Sequence, residues 1–398
     1  IALVRHRAEV DAIAGSDAEP DFDNVIGALE RSGGDLQRVA MVFFNLCGSH
    51  TNDAMQEIQR DIAPVLAKHS TDTLFNRDLF KRIQTLVERR SGLDLSAEQA
   101  RVLERYHTMF TRAGALLEGA DRERMGEISQ RVAVLGTRFG QNIRADEKAY
   151  ELVLEEEGDL AGLPDFLIAA AGEAARERGH EGKHVITLSR SLIEPFLQFS
   201  ERRDLREQAY NAWLSRGENG GDTDNRAIVA ETVALRAERA RLLGFDNFAA
   251  FKIDDEMART PDAVRELLMQ VWTPARERAE AERQKLQHMA QAEGGNFAIA
   301  AWDWRHYAEK VRRAEHDLDE TEIKPYFQLD RIIEAAFDTA NRLFGLSFSE
   351  RHDLKVYHDD VRAFDVTDRD GGKIGIFLGD YFARPSKRSG AWMTGFRG

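Results

Sequence analysis

Apolar positions along this chain recur mostly at intervals of three and four residues, the spacing that gathers them on one face of an α-helix. After Ser96-Ala-Glu-Gln99, the residues Val102, Leu103, Tyr106 and Phe110 keep that spacing. Ser96 and Gln99 stand as a capping box does: the serine oxygen accepts an orphan backbone N–H and the glutamine reaches back. Thr260-Pro261 marks a second start, with a capping hydroxyl and a proline where its missing N–H is not needed. Val264, Leu267, Leu268 and Val271 form the apolar stripe that follows. Strand patterns are few. Tyr150, Leu152 and Leu154 alternate with Glu151, Val153 and Glu155, and Val185–Leu188 follows a glycine-rich break. Residues 361–366 lead through the turn Asp368-Arg-Asp-Gly-Gly372 into residues 373–384. The pattern predicts a mainly α fold with a small antiparallel β-region near residues 361–393.

Composition narrows the class. Only eight prolines interrupt the 398 residues, and 42% hydrophobic with 31% charged residues is the balance of a soluble globular protein. No apolar run reaches the roughly 18 residues that span a bilayer, so no membrane partner is expected. The net charge of −14 argues against nucleic acid, whose phosphates demand concentrated positive charge. The single cysteine, Cys47, rules out an internal disulfide and favours a reducing, cytoplasmic setting. It sits in the apolar stretch Met41–Cys47 and reads as a small core residue. The first residue is Ile1, so a preceding signal segment stays open. The polar, glycine-containing stretch Gly217–Asp224 is a candidate subdomain boundary.

One short motif matches a zinc-protease pattern: His180-Glu-Gly-Lys-His184 fits HExxH. That motif works on a helix, where positions i and i+4 bring two imidazoles to one face. Here Gly179 stops the preceding helix, Gly182 sits inside the motif, and strand-like Val185–Leu188 follows at once. The segment is expected to be an exposed loop and not a metal site. Asp368-Arg-Asp370-Gly371 resembles part of a calcium loop, but Val366 and Phe377 stand where ligands are needed, so a turn is expected. Trp302-Asp-Trp304 with Tyr307 reads by default as core. Residues 384–392 join a strand pattern to a basic, glycine-containing turn where backbone can approach a ligand.

Several segments, in order, resemble the thimet oligopeptidase family of zinc metallopeptidases, most closely its bacterial peptidyl-dipeptidase branch. They are Phe22-Asp-Asn-Val-Ile26, Val42–Asn52, Leu242-Leu-Gly-Phe245, Trp302-Asp-Trp304 and Lys324-Pro-Tyr-Phe327. Leu343-Phe-Gly345, Tyr357–Arg362, Gly379–Arg384 and Gly390-Ala-Trp-Met393 complete the series. His306 and Tyr357 depart from the aromatic and tryptophan expected there.

The resemblance implies a helical, two-lobed, channel-forming fold. Residues 1–200 would form an N-terminal helical domain, and 201–398 the N-terminal part of a catalytic domain lacking its zinc-binding half. It implies hydrolysis of short peptides with release of C-terminal dipeptides, by a zinc-activated water with glutamate as base. The family's own zinc motif is expected beyond Gly390-Ala391-Trp392. This chain is therefore expected to hold no zinc, to carry no catalytic residue and to be inactive alone, although the intact enzyme needs zinc. Gly390, Ala391 and Trp392 are the candidate substrate-binding residues, at a sheet edge pairing with an extended peptide. A monomer is expected for the intact enzyme. The alternatives are a non-catalytic peptide-binding protein and a helical scaffold of the same fold.

Overall fold

The computed structural model describes every residue except Leu318, Asp319, Ser389, Arg397 and Gly398, together with the side chains of Glu320 and Thr321. Ser389, within the basic turn 384–392, thus lies outside the described residues. The chain is mainly helical, with five strands in two small antiparallel sheets among the described residues. It groups into two compact units. The first holds Ile1–Ala145, Gly217–Trp272 and Ala391–Gly398; the second holds Asp146–Arg216 and Thr273–Gly390. One passage between them falls at Arg216–Gly217, where the polar gap begins.

In the first unit, helix Arg77–Arg89 buries Leu79, Phe80, Ile83 and Leu86 on one face. They pack with Val25, Ile26, Leu103 and Phe110. Helix Ala97–Ala113 starts as its sequence predicts: Gln99 N donates to Ser96 Oγ at 3.1 Å, and Ser96 N to Gln99 Oε1 at 2.9 Å. It ends at Gly114, whose φ of +106° suits glycine. Cys47 is buried, and burial pushes its thiol pKa up. The helix from Pro261 is capped by Thr260 Oγ1, which accepts from Ala263 N at 3.2 Å. Its Leu267, Leu268 and Val271 are exposed, so helical periodicity located the element without showing what its apolar face meets.

In the second unit, β1 (Leu152–Leu154) pairs antiparallel with β2 (His184–Ile186), and Leu152, Leu154 and Ile186 enter a core with Leu167, Ile193 and Phe196. The loop before helix Asp165–Glu177 depends on Gly162, at φ +80°. A Cβ there would stand 2.4 Å from the Phe199 carbonyl oxygen. Helix Ala301–His316 turns Asp303, His306, Tyr307 and Glu309 inward and leaves Trp302 and Trp304 half-buried. The core face of the tryptophan segment is thus largely polar. The reason is Arg206, itself buried, whose Nη2 donates to Asp303 Oδ1 at 2.9 Å.

His306 lies beside this ion pair, with its Nδ1 3.2 Å from the Gln198 carbonyl oxygen. Burial, then the Arg206 and Lys310 charges, push its pKa down to about 4 from an ordinary 6.5. Between about pH 6.5 and 4 the unfolded chain takes up a proton that the folded chain refuses. Stability is therefore complete above that window and falls as pH drops through it, by about 3 kcal/mol in all. Urea unfolding from pH 7 to 4.5 should show this slope, and His306→Gln, which keeps a donor for Gln198, should flatten it. An unchanged slope in the variant would assign the acid sensitivity to other groups.

Candidate functional site

The larger sheet consists of β3 (Ser347–Arg351), β4 (Arg362–Thr367) and β5 (Lys373–Gly379), in the order β3-β4-β5 and antiparallel throughout. The β4–β5 turn is held by Asp368, whose Oδ1 accepts from Asp370 N at 3.0 Å and Gly372 N at 2.6 Å. Gly371 takes the left-handed conformation at φ +82°, so the calcium-like string serves as a turn. One face carries Phe348, Phe364 and Phe377 beneath Phe337 of helix Leu329–Phe344. Phe337 stacks on Phe348 at 4.0 Å.

Among the described residues no strand pairs with the outer side of β5, so its backbone forms an open edge. Ile374 and Ile376 on this strand are exposed. An edge of this kind can accept an added extended chain through main-chain hydrogen bonds. The strand ends at Gly379, earlier than the sequence pattern to 384 predicts. β3 escaped the sequence pattern, because Ser347–Arg351 is largely polar and alternates weakly.

The reason β5 stops is Asp380. Its carboxylate accepts from Tyr357 Oη at 2.8 Å and from Arg384 at 2.8 and 2.7 Å. Lys387 Nζ lies 3.0 Å from Oδ1 and donates to the Asp380 and Phe382 carbonyls at 2.8 and 3.0 Å. These groups pull the chain into a compact polar turn instead of a longer strand. Burial alone would raise the Asp380 pKa, but the hydrogen bonds from Arg384, Lys387 and Tyr357 outweigh it and hold the carboxyl well below its usual range. The sequence drew attention to Arg384 and Lys387 as a basic turn; the shared carboxylate was not evident. Tyr357, where tryptophan was expected, supplies the hydroxyl that completes the cluster.

Gly390 has φ +103°, a conformation that favours glycine. Ala391 is exposed, Trp392 is half-buried, and neither belongs to a strand. The division between the two units falls between Gly390 and Ala391.

His180-Glu-Gly-Lys-His184 is a turn leading into β2, with Gly179 and Gly182 both at positive φ. His180 Nε2 lies 2.9 Å from Glu151 Oε2, and Lys183 donates to Glu155 at 2.6 Å. His184 is paired within the sheet opposite Leu154. The i, i+4 helical face that HExxH needs is thus lacking here. Among the described residues no group of three or more His, Cys, Asp or Glu side chains could hold a metal ion, so these residues do not fit zinc as a ligand set. No described helix is long and apolar enough to cross a membrane.

Comparison with known proteins defines the class of this mainly helical chain. Residues 196–398 match the model of peptidase family M3. The chain is 41% identical over 395 residues to the dipeptidyl carboxypeptidase of Escherichia coli, covering 99% of this chain and 58% of that protein. The Salmonella typhimurium dipeptidyl carboxypeptidase is 41% identical over 391 residues, with 98% and 58% covered. Oligopeptidase A of Escherichia coli is 29% identical over 396 residues, with 98% and 58% covered. The chain belongs to peptidase family M3. It spans 58% of the length of these relatives.

Proposed function

We propose that this chain forms part of a zinc-dependent peptidase that cleaves short peptides and releases dipeptides from their C-terminal ends. The 41% identity to a dipeptidyl carboxypeptidase, sustained over 99% of the chain, carries this reading. It exceeds the 29% found with oligopeptidase A over a similar span, which favours the peptidyl-dipeptidase branch. Residues 201–398 would belong to the catalytic domain, a division supported by the family match beginning at residue 196. Zinc would supply the activated water. Its ligands are assigned outside residues 1–398, and the chain alone is expected to be inactive. Short peptides are the proposed partners, with a cytoplasmic setting and a monomeric intact enzyme.

The residues of this chain would bind and orient the substrate. Gly390, Ala391 and Trp392 are proposed to meet the extended peptide backbone; family position and the glycine-containing turn after the sheet support this. The polypeptide as encoded, continued through any sequence beyond residue 398, should release dipeptides from an N-blocked tripeptide and stop when a chelator is added. Ala391→Pro, which deletes a backbone N–H, should lower kcat/KM about tenfold or more. Chelator-insensitive hydrolysis would refute the zinc peptidase, whereas unchanged kinetics in Ala391→Pro would refute only the assigned binding residues. No hydrolysis with retained peptide binding would instead favour a non-catalytic peptide-binding protein.

A further inference from the structure

The first unit contains a cavity of about 710 Å³ whose lining is rich in arginine. Beside it Asp254 and Glu256 lie 3.5 Å from Arg112 and 3.4 Å from Lys252, and the lining itself sets Arg105, Arg112, Arg236, Arg239 and Lys252 against Glu30 and Asp255. Both lining carboxylates are already engaged. Glu30 accepts from Tyr106 Oη at 2.7 Å. Asp255 pairs with Arg112 at 3.0 Å and Arg105 at 3.2 Å. Arg112 is fixed further by the Phe251 carbonyl oxygen at 2.7 Å.

Arg236 and Arg239 are different. Among the described residues, neither has a carboxylate partner. The Arg239 Nε is buried without a hydrogen-bond partner. Its guanidinium carbon lies 5.2 Å from the Phe251 ring centre, and that of Arg236 lies 5.2 Å from the Phe248 ring centre. Phenylalanine thus supports both guanidinium groups without neutralising them. Burial, with the nearby Arg112 charge, pushes the Arg239 pKa down, as expected for a cation short of counter-charge. Leu74, Met109, Ile128 and Val132 supply an apolar wall. The volume lies within the roughly 300–1,000 Å³ typical of small-molecule sites.

We propose that this cavity binds a small organic anion. Arg236 and Arg239 would hold its carboxylate or phosphate group, and its apolar or aromatic body would lie against Phe248, Phe251 and the apolar wall. The guanidinium forks match either oxyanion, and the wall favours a ligand that is more than a bare ion. The site lies wholly within the first unit, and its ligand need not be a peptidase substrate, so the proposal stands apart from that function.

Calorimetric titration of the 398-residue chain with phenyl phosphate and with phenylacetate tests it, the two ligands separating phosphate from carboxylate recognition. At least one should bind at 1:1 and weaken with added salt. Inorganic phosphate and benzyl alcohol, each lacking one half of the ligand, should bind about tenfold more weakly or not at all. Arg239→Met, which keeps the apolar stem, should weaken binding about tenfold or more and raise the thermal midpoint, because it removes an uncompensated charge. The exposed Arg236→Gln should also weaken binding while leaving the midpoint unchanged. Absence of saturable binding at millimolar ligand would overturn the proposal. So would unchanged affinity in Arg236→Gln, or a lowered midpoint in Arg239→Met, which would make that arginine a structural element.

Discussion

Asp303→Ala should remove about 3–5 kcal/mol of unfolding free energy, a large share of what a domain possesses. Asp303 is fully buried and accepts from two arginines. Arg203 Nε and Nη2 approach Oδ2 at 3.2 and 2.9 Å, and Arg206 Nη2 approaches Oδ1 at 2.9 Å. The same carboxylate accepts from Ala300 N at 3.1 Å and so caps its own helix. The Arg206 side chain is only 2% exposed, so alanine at 303 would strand a cation that water cannot reach. Urea denaturation monitored by circular dichroism gives the measurement. Arg206→Met combined with Asp303→Ala should recover part of the loss, because most of it arises from the orphaned charge rather than from the missing pair. A loss below about 1 kcal/mol in the single variant would show that water reaches the Arg206 guanidinium once Asp303 is gone.

The second large effect is expected at Asp380. Asp380→Asn keeps the shape but removes the charge shared by Arg384 and Lys387, whose side chains are 7% and 11% exposed. About 3 kcal/mol of local stability should go with it. The loss should appear as faster amide exchange over residues 380–388, with helix Arg77–Arg89 unaffected. If the proposed peptidase positions its peptide on the turn after β5, the same variant should impair hydrolysis chiefly through KM. Uniform exchange across the chain would show that the cluster contributes to global stability and does not govern the turn alone.

These two carboxylates show how differently the sequence reveals its parts. Asp303 sits between two tryptophans, and periodicity reads that segment as an aromatic core; no local rule tells that the aspartate is the innermost residue. Its partners, Arg203 and Arg206, are about a hundred residues away in the chain and come from another helix. Asp380 follows a strand-like run, and propensity carries the strand on to 384. The structure ends it at Gly379, because Tyr357, Arg384 and Lys387 converge on the carboxylate. Alternation records side-chain polarity along one segment, but not a competing hydrogen-bond partner from another.

Local chemistry by itself determined the helical class, the capping box at Ser96 and Gln99, the cap at Thr260, the Asp368 turn and the loop at His180–His184. Each depends on residues within a few positions of one another, where backbone conformation and short-range hydrogen bonds decide the outcome. The ordered family segments identified the same peptidase family that the comparison with known proteins established. Only the tertiary structure decided that Asp303 holds two arginines, that the strand expected to reach 384 stops at Gly379, and that Arg236 and Arg239, without a carboxylate partner among the described residues, share one cavity. Those features depend on the desolvation and mutual approach of side chains far apart in sequence, which long-range packing sets and local pattern cannot encode.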